Sequence, residues 1–119
     1  MFDHVGIKVR NLKASAAFYA TVLEPLGHVQ GYTDDSTAGF GPAGAPALWL
    51  YATDQPPGPG THLAFRAGDR TAVDRFHQRA LQAGGRDNGA PGLRPDYSPT
   101  YYAAFIIDLD GHNVEAVVL

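Results

Sequence analysis

The sequence contains no cysteine, so it can form neither a disulfide framework nor a metal site built on thiolates. Any metal ion would have to be bound by histidine and carboxylate side chains. Basic residues are not in excess either, since nine Lys and Arg stand against twelve Asp and Glu, for a net charge of -3. Domains that bind nucleic acid normally carry clustered Lys and Arg. The charge balance therefore argues against a nucleic-acid surface.

Long hydrophobic runs are also missing. No apolar stretch approaches the roughly 20 residues of a membrane-spanning helix, and the first residues show no basic region followed by an apolar one, as a signal peptide would. The composition is 45% hydrophobic and 18% charged, which is ordinary for a globular protein. We expect a soluble cytoplasmic protein that forms one domain over residues 1–119.

An internal repeat is the most informative feature that is present. The stretch MFDHVGIKV at residues 1–9 returns in type as GTHLAFRA at residues 60–67, and each copy has one histidine near its start. Each copy alternates apolar and polar residues as a half-buried strand does, and each is followed by apolar residues at helical spacing. The repeat predicts two similar supersecondary units that stack against each other.

Each unit is predicted to have the order βαβββ. Module 1 covers about 1–53, a linker rich in proline and glycine covers 54–60, and module 2 covers about 61–119. Asn11 and Asp69 have the side chains expected of helix N-caps. The resulting class is α+β, with two paired βαβββ modules whose sheets curl into an open cup. The predicted strands are 3–9, 28–32, 38–41, 47–52, 61–67, 86–89, 101–108 and 113–119, and the second helix covers 70–83.

Residues out of phase with the apolar rows are the candidates for chemistry, because they would face the cup. By this alternation His4, His62 and Glu115 lie on three separate strands and point the same way. Two histidines and one carboxylate can bind a divalent ion and leave coordination positions open for water or substrate. We therefore predict that His4, His62 and Glu115 are metal ligands. The common reading of a histidine near the start of a strand is a hydrogen-bonded, partly exposed side chain.

Aromatic and basic residues provide candidates for substrate binding. Trp49 and Tyr51 would give the cup an aromatic wall, although Tyr51 could equally belong to the core. A loop is predicted over residues 90–100, and loops of this length are often functional. Arg94 could bind a carboxylate or phosphate there, and tyrosines could cover the substrate. A solvated loop with its tyrosines on the sheet edge is the alternative.

Alternation does not decide which of two adjacent tyrosines faces the cup, since both faces of that strand are apolar. The predicted substrate-binding set is Trp49, Tyr51, Arg94, Tyr97 and Tyr102, with Tyr101 as the other possibility beside Tyr102. The remaining histidines, His28, His77 and His112, are predicted to lie at the surface.

The chain resembles the vicinal oxygen chelate superfamily, which contains glyoxalases, bleomycin-resistance proteins and extradiol dioxygenases. The resemblance covers essentially all 119 residues and rests on DHVGIKV, FYATVLEPLG, THLAFRA and FIIDLDGHNVEAV. It implies a metal held by residues of the first, fourth, fifth and eighth strands. His4, His62 and Glu115 occupy three of these positions, whereas Trp49 stands at the fourth and cannot ligate a metal ion.

This departure points away from glyoxalase I and towards sites with three ligands, as in extradiol dioxygenases and fosfomycin-resistance thiol transferases. Gly6 stands where the latter carry a threonine. The resemblance implies an enzyme of lyase, isomerase, transferase or dioxygenase type. Its divalent ion (Zn, Ni, Mn or Fe) would act as a Lewis acid on a small oxygen-chelating substrate, with Glu115 as catalytic base.

Related proteins often complete the cup across a homodimer, so we expect a dimer with His4 facing His62 and Glu115 of the other copy. The alternative function is binding of an antibiotic or metabolite without turnover, as bleomycin-resistance proteins do. A member that keeps the ligands without activity is a third possibility.

Overall fold

The computed structural model describes residues 1–119 and contains two helices and eight strands in the order βαβββ twice. The predicted α+β class is confirmed. Helix α2 and most strands lie within two residues of their predicted bounds. The elements are β1 (Val5–Val9), α1 (Leu12–Leu23), a short 3₁₀ helix (Glu24–Leu26), β2 (Val29–Thr33), β3 (Thr37–Gly41), β4 (Leu48–Ala52), β5 (His62–Arg66), α2 (Arg70–Gln82), β6 (Arg86–Leu93), β7 (Tyr102–Ile107) and β8 (Asn113–Val118).

The strands form two mixed four-stranded sheets with the same topology. The order is β1-β4-β3-β2 in the first sheet and β5-β8-β7-β6 in the second. In each sheet the strand before the helix pairs in parallel with the last strand of its module, and the other pairs are antiparallel. The sequence repeat is thus a repeat of topology. It places His62 and Glu115 on neighbouring strands.

Both helices begin where the sequence predicts. The Asn11 side chain accepts a hydrogen bond from the backbone N–H of Ala14 at 3.0 Å, and the Asp69 side chain accepts one from Ala72 at 2.7 Å. These side chains satisfy N–H groups that have no partner within the helix. Neither helix has the length and apolar character needed to cross a membrane.

The core lies between the helices and one face of each sheet. Val9 and Leu50 come from the first sheet, Val114 from the second, and Phe18 and Phe76 from the two helices, and all five are at most 2% exposed. They belong to a single cluster of 18 buried residues drawn from both modules. Because strand side chains alternate, the other face of each sheet is left for the polar and aromatic residues.

Strand β6 is longer than predicted. It continues to Leu93, into residues predicted to form a loop, with register shifts against β7 on both sides of Gly89. Pro91 lacks an N–H donor, but an edge strand tolerates proline and β6 is the edge of its sheet. The loop before β7 is therefore only residues 94–101, closed by a backbone hydrogen bond from Arg94 N–H to Tyr101 O at 2.8 Å.

Polar contacts near the start of β8 connect the two modules. The Tyr19 hydroxyl donates to Asp108 Oδ2 at 2.6 Å, and the Ser15 hydroxyl donates to Asp110 Oδ2 at 3.1 Å. Buried His112 accepts a hydrogen bond from Thr61 N–H through Nδ1. These contacts hold the start of β5 and the start of β8 beside module 1.

Two of the three histidines predicted to lie at the surface are buried. His112 is 8% exposed, and its Nε2 lies 3.0 Å from the carbonyl oxygen of Lys8. His77 is 9% exposed, with Nε2 2.9 Å from Asp87 Oδ1, and that hydrogen bond lowers the pKa of Asp87. His28 is partly buried, and its Nδ1 has no hydrogen-bond partner. The prediction failed because each histidine packs against the other module or a later strand, which periodicity does not reveal.

Candidate metal centre

His62 and Glu115 meet on the face of the second sheet opposite the helices. Strands β5 and β8 pair so that His62 lies beside Asn113 and Ala64 lies beside Glu115. His62 Nε2 is 3.2 Å from Glu115 Oε2. The Glu115 side chain is only 3% exposed, whereas that of His62 is 51% exposed. The pair therefore joins a buried carboxylate to an imidazole that solvent can reach.

The hydrogen bond between His62 and the backbone of Asn113 determines which ring nitrogen of His62 carries the proton. Nδ1 lies 3.2 Å from the carbonyl oxygen of Asn113, and a carbonyl oxygen can only accept, so Nδ1 carries the hydrogen. In the neutral imidazole, Nε2 then presents its lone pair towards Glu115 Oε2. Two acceptors face each other unless a proton or a cation lies between them.

This donor set fits a divalent metal ion. Metal-binding histidines usually donate their other ring N–H to a carbonyl or carboxylate, as His62 does. Ligand atoms about 2.1 Å from an ion and at right angles to each other would lie about 3 Å apart, close to the observed Nε2–Oε2 separation. Glu115 and His62 are thus two ligands of suitable type and spacing.

Tyr101 makes the other contact to Glu115. Its hydroxyl donates to Oε1 at 2.5 Å. This hydrogen bond, followed by burial and by the charge of Glu115, raises the pKa of Tyr101 to about 12. Tyr101 therefore stays a donor at neutral pH and holds one oxygen of Glu115 while the other faces His62.

Tyr102, a member of the predicted substrate-binding set, does not lie with this group. Its hydroxyl donates to Asp74 on α2 at 2.7 Å, and its ring lies 4.9 Å from the Arg70 guanidinium carbon. The hydrogen bond to Asp74 raises the pKa of Tyr102. Phe105 pairs with Glu115 in the β7–β8 register, so residues two and four before Phe105 share its face and Tyr102 does not. The register between β7 and β8 places Tyr101 on the same face as Glu115. The sequence alone does not provide this register.

Arg94 and Tyr97 lie beside the same group. The Arg94 guanidinium carbon is 5.4 Å from the centre of the Phe105 ring, and Phe105 stacks on His62 with ring centres 6.4 Å apart. Tyr97 is 65% exposed and packs edge-on against Tyr101 at 5.1 Å. The residues at the second sheet are thus His62, Glu115, Tyr101, Tyr97, Phe105 and Arg94. Sequence reasoning missed Phe105 in this set.

Trp49 and Tyr51 occupy the corresponding face of the first sheet. A Cβ added at Gly39 would lie 2.7 Å from the Trp49 ring, and one added at Gly6 would lie 2.6 Å from the Tyr51 ring. The Trp49 and Tyr51 rings therefore lie against the backbone of Gly39 and Gly6. This explains Gly6, where the resemblance led us to expect a threonine. Lys8 lies 5.3 Å from the centre of the Tyr51 ring.

His4 directly precedes β1 of this first sheet and is exposed. Its Nδ1 lies 2.7 Å from Asp3 Oδ1, so Nε2 is left for another partner, as in His62. No group of three or more His, Asp or Glu side chains in the chain is arranged to bind a metal ion. One copy of the chain therefore does not assemble the predicted set of His4, His62 and Glu115 by itself.

Comparison with known proteins agrees with this architecture. Residues 1–116 match the model of the Glyoxalase/Bleomycin resistance protein/Dioxygenase superfamily. The chain belongs to this superfamily. Members of the superfamily commonly use divalent metal ions. No curated protein matches the chain.

Solved structures share the fold over nearly the whole chain. A glyoxalase/bleomycin resistance protein from Albidiferax ferrireducens is 29% identical, with a TM-score of 0.86 and 98% of each chain covered. A glyoxalase/bleomycin resistance protein/dioxygenase family enzyme from Burkholderia phytofirmans is 20% identical, with a TM-score of 0.75 over 97% of this chain and 95% of the other. A glyoxalase-related enzyme from Fulvimarina pelagi is 18% identical, with a TM-score of 0.72 over 95% and 84%. The last two likenesses concern the fold alone.

Proposed function

We propose that this superfamily member is a divalent-metal-dependent enzyme in which His62 and Glu115 of one copy and His4 of a second copy bind the ion. The observation that carries the proposal is the convergence of His62 Nε2 and Glu115 Oε2 at 3.2 Å while His62 Nδ1 is committed to a backbone carbonyl. A buried carboxylate without a cation is energetically costly. A metal ion at this point would neutralise it.

The second copy is proposed because His4 is exposed and belongs to no group of three or more possible metal ligands within its own chain. His4 has the same arrangement as His62, with Nδ1 beside an oxygen acceptor. A homodimer in which the first sheet of one copy faces the second sheet of the other would bring three ligands together. Such a site leaves coordination positions open, as catalytic sites require.

The bound ion would act as a Lewis acid on a small substrate that chelates it through two oxygens. Glu115 would serve as the general base, and Tyr101 would hold its Oε1 so that the other oxygen keeps its direction. Phe105 and Tyr97 would cover the substrate on one side, and Trp49 and Tyr51 of the other copy on the other side. The reaction would be of lyase, isomerase or thiol-transferase type, with dioxygenation as a further class.

Metal analysis tests the proposal. The protein is purified without chelator, and its metal content and its affinity for Zn²⁺, Mn²⁺, Ni²⁺ and Fe²⁺ are measured by mass spectrometry and calorimetry. We expect about one ion per chain and loss of at least tenfold in affinity in His62→Ala and Glu115→Gln. Glu24→Gln, an exposed acid that pairs with Arg79, is the control. Trace metal in the wild type, or equal affinity in all variants, contradicts the proposal.

Binding of a drug or metabolite without turnover is the second candidate. It is favoured by the Trp49 and Tyr51 rings on the first sheet, which could stack on a planar ligand without any metal. Trp49 is the only tryptophan, so its fluorescence reports directly on this face. Under this candidate a catechol or dicarbonyl probe quenches Trp49 equally with and without chelator. Under the enzyme proposal, chelator weakens its binding.

A further inference from the structure

Arg94 lies on the face of the second sheet that carries His62 and Glu115, and it has no carboxylate partner. Phe105 pairs with Glu115, so both side chains leave the sheet on the same side, and the Arg94 guanidinium covers the Phe105 ring. We propose that Arg94 forms an anion subsite beside the metal centre. The substrate would then carry a carboxylate or phosphate at the end away from its chelating oxygens. This inference rests on the proposed function, because it names the substrate class of the same site.

The distances suit a small molecule. Arg94 is 5.4 Å from the Phe105 ring centre, and the His62 ring is 6.4 Å from it. Both distances are measured to the same ring centre. The Arg94 guanidinium carbon and the centre of the His62 ring are therefore no farther apart than the two distances added together. A substrate with a chain of a few carbons between its chelating oxygens and its anionic group would span this separation, with Phe105 beneath.

The charge of Arg94 is available to a ligand. None of the five ion pairs in the chain includes it. Its Nη2 donates to the carbonyl of Ala90 at 2.7 Å, and its Nη1 lies 3.5 Å from the carbonyl of Leu93. A guanidinium has five N–H donors in a planar fork, so donors remain for two parallel bonds to a carboxylate or phosphate. Since the chain has a net charge of -3, an anion needs such a local cation.

Glycines hold the guanidinium in place. A Cβ added at Gly89 would lie 3.2 Å from Nη2, and one added at Gly92 would lie 3.2 Å from Nη1. The guanidinium thus lies in contact with bare backbone on β6 and with the Phe105 ring. Together with the bond to Ala90, these contacts fix its orientation before a ligand arrives. Preorganisation of this kind reduces the entropic cost of binding.

The test compares three probes that share a chelating 2-oxo acid and differ at the far end. In 2-oxoglutarate that end is a carboxylate, in 2-oxo-4-phosphonobutanoate it is a phosphonate, and in 2-oxopentanoate it is a methyl group. Affinities for the metal-loaded full chain are measured by calorimetry. We expect at least one anionic probe to bind about tenfold or more tightly than 2-oxopentanoate. The tighter of the two identifies the anion.

Variants assign this preference to Arg94. In Arg94→Gln the preference should disappear, while 2-oxopentanoate binds as before. Arg70→Gln is the matched control, because Arg70 also lies over an aromatic ring of module 2 but on the opposite face of the sheet. It should keep the preference.

A second readout separates this inference from the proposed function. The NMR signal of the Arg94 Nε–H group is followed in metal-free protein as each probe is added. A shift with an anionic probe but not with 2-oxopentanoate supports the subsite even if metal does not bind. An unmoved signal, or an equal preference in Arg94→Gln and wild type, overturns the inference whether or not metal binds.

Discussion

At the scale of single residues, Tyr19 and Asp108 form a buried hydrogen bond between the two modules. Tyr19 is fully buried and Asp108 is 5% exposed, and they join helix α1 to the segment before β8. Burial, followed by the charge and hydrogen bond of Asp108, raises the pKa of Tyr19 well above its usual value. The folded protein thus keeps Tyr19 protonated where the unfolded chain would ionise.

Tyr19→Phe should lower the free energy of unfolding by about 1–3 kcal/mol at pH 7, because Asp108 loses a buried donor. The unfolded chain loses its tyrosine protons from about pH 10 upwards, so the Tyr19 contribution is complete below that pH and declines as the pH rises further. Urea unfolding at several pH values checks both points. Tyr32→Phe, at an exposed tyrosine, is the control and should cost less. A pH-independent difference between wild type and Tyr19→Phe above pH 10 would be inconsistent with this account.

Because of His28, we expect the free energy of unfolding to decrease at acidic pH. Burial lowers the pKa of His28, and its Nδ1 has no partner. The unfolded chain therefore binds a proton near pH 6.5 that the folded protein resists, so stability is retained above that pH and falls as the pH decreases through it. In His28→Leu the decrease in unfolding free energy between pH 7.5 and pH 5.5 should be smaller than in wild type. Identical pH profiles in urea unfolding would rule this out.

Tyr101 should act on metal affinity by positioning Glu115. Tyr101→Phe removes the hydrogen bond to Oε1, and removal of such outer-shell partners typically costs 10–100-fold in metal affinity. Calorimetric titration with metal checks the size of the effect. Tyr102→Phe is the matched control, since Tyr102 bonds Asp74 on the other face of the sheet. Equal affinities for the two variants would remove Tyr101 from the proposed centre.

At the scale of elements, each α-helix has one capping side chain at its start. Asp69→Ala should lower the free energy of unfolding by roughly 0.5–2 kcal/mol, since the N–H of Ala72 loses its acceptor. Thermal or urea unfolding measures the change, and Asp69→Ser, which retains an oxygen acceptor, should recover most of it. An effect as large in Asp69→Ser as in Asp69→Ala would mean that the cap is not the cause.

Strand β6 illustrates how an element escapes local patterns. Its sequence, RDNGAPGL, has the turn residues and proline of a loop. It forms a strand by pairing with β7 on one side. Its other side is the edge of the sheet, where the backbone needs no hydrogen bonds to another strand. Strand β6 contains Gly89 and Gly92, although glycine has a low propensity for strands. These two glycines contact the Arg94 guanidinium.

At the scale of the whole molecule, the proposed site requires two copies. A mixture of His4→Ala and Glu115→Ala chains tests this by complementation. Each variant alone should fail to bind the ion tightly, whereas a mixed dimer has one intact site, so random exchange should restore about a quarter of the wild-type sites. Metal content after unfolding and refolding the mixture measures the recovery. No recovery in a mixture shown to dimerise would place the site elsewhere, and a monomer in light scattering at micromolar concentration would exclude the shared site.

Much of the fold could be predicted because it follows from the local periodicity of apolar residues. The alternation in DHVGIKV and THLAFRA, the helical spacing after Asn11 and Asp69, and the repeat itself are all read within a few residues. The candidate site was only partly predictable. Alternation placed His62 and Glu115 on their strands, but the choice between Tyr101 and Tyr102 depends on how β7 registers with β8.

The sequence by itself determined two βαβββ modules, their helix caps and the side chains that could bind a metal ion, because each follows from the order of neighbouring residues. Tertiary structure alone decided which of these side chains meet. It brought Glu115 to His62 and Tyr101, set Arg94 over Phe105, turned Tyr102 towards α2 and left His4 apart. These outcomes depend on strand register and on packing between distant segments, in which a shift of one residue reverses the face of every side chain.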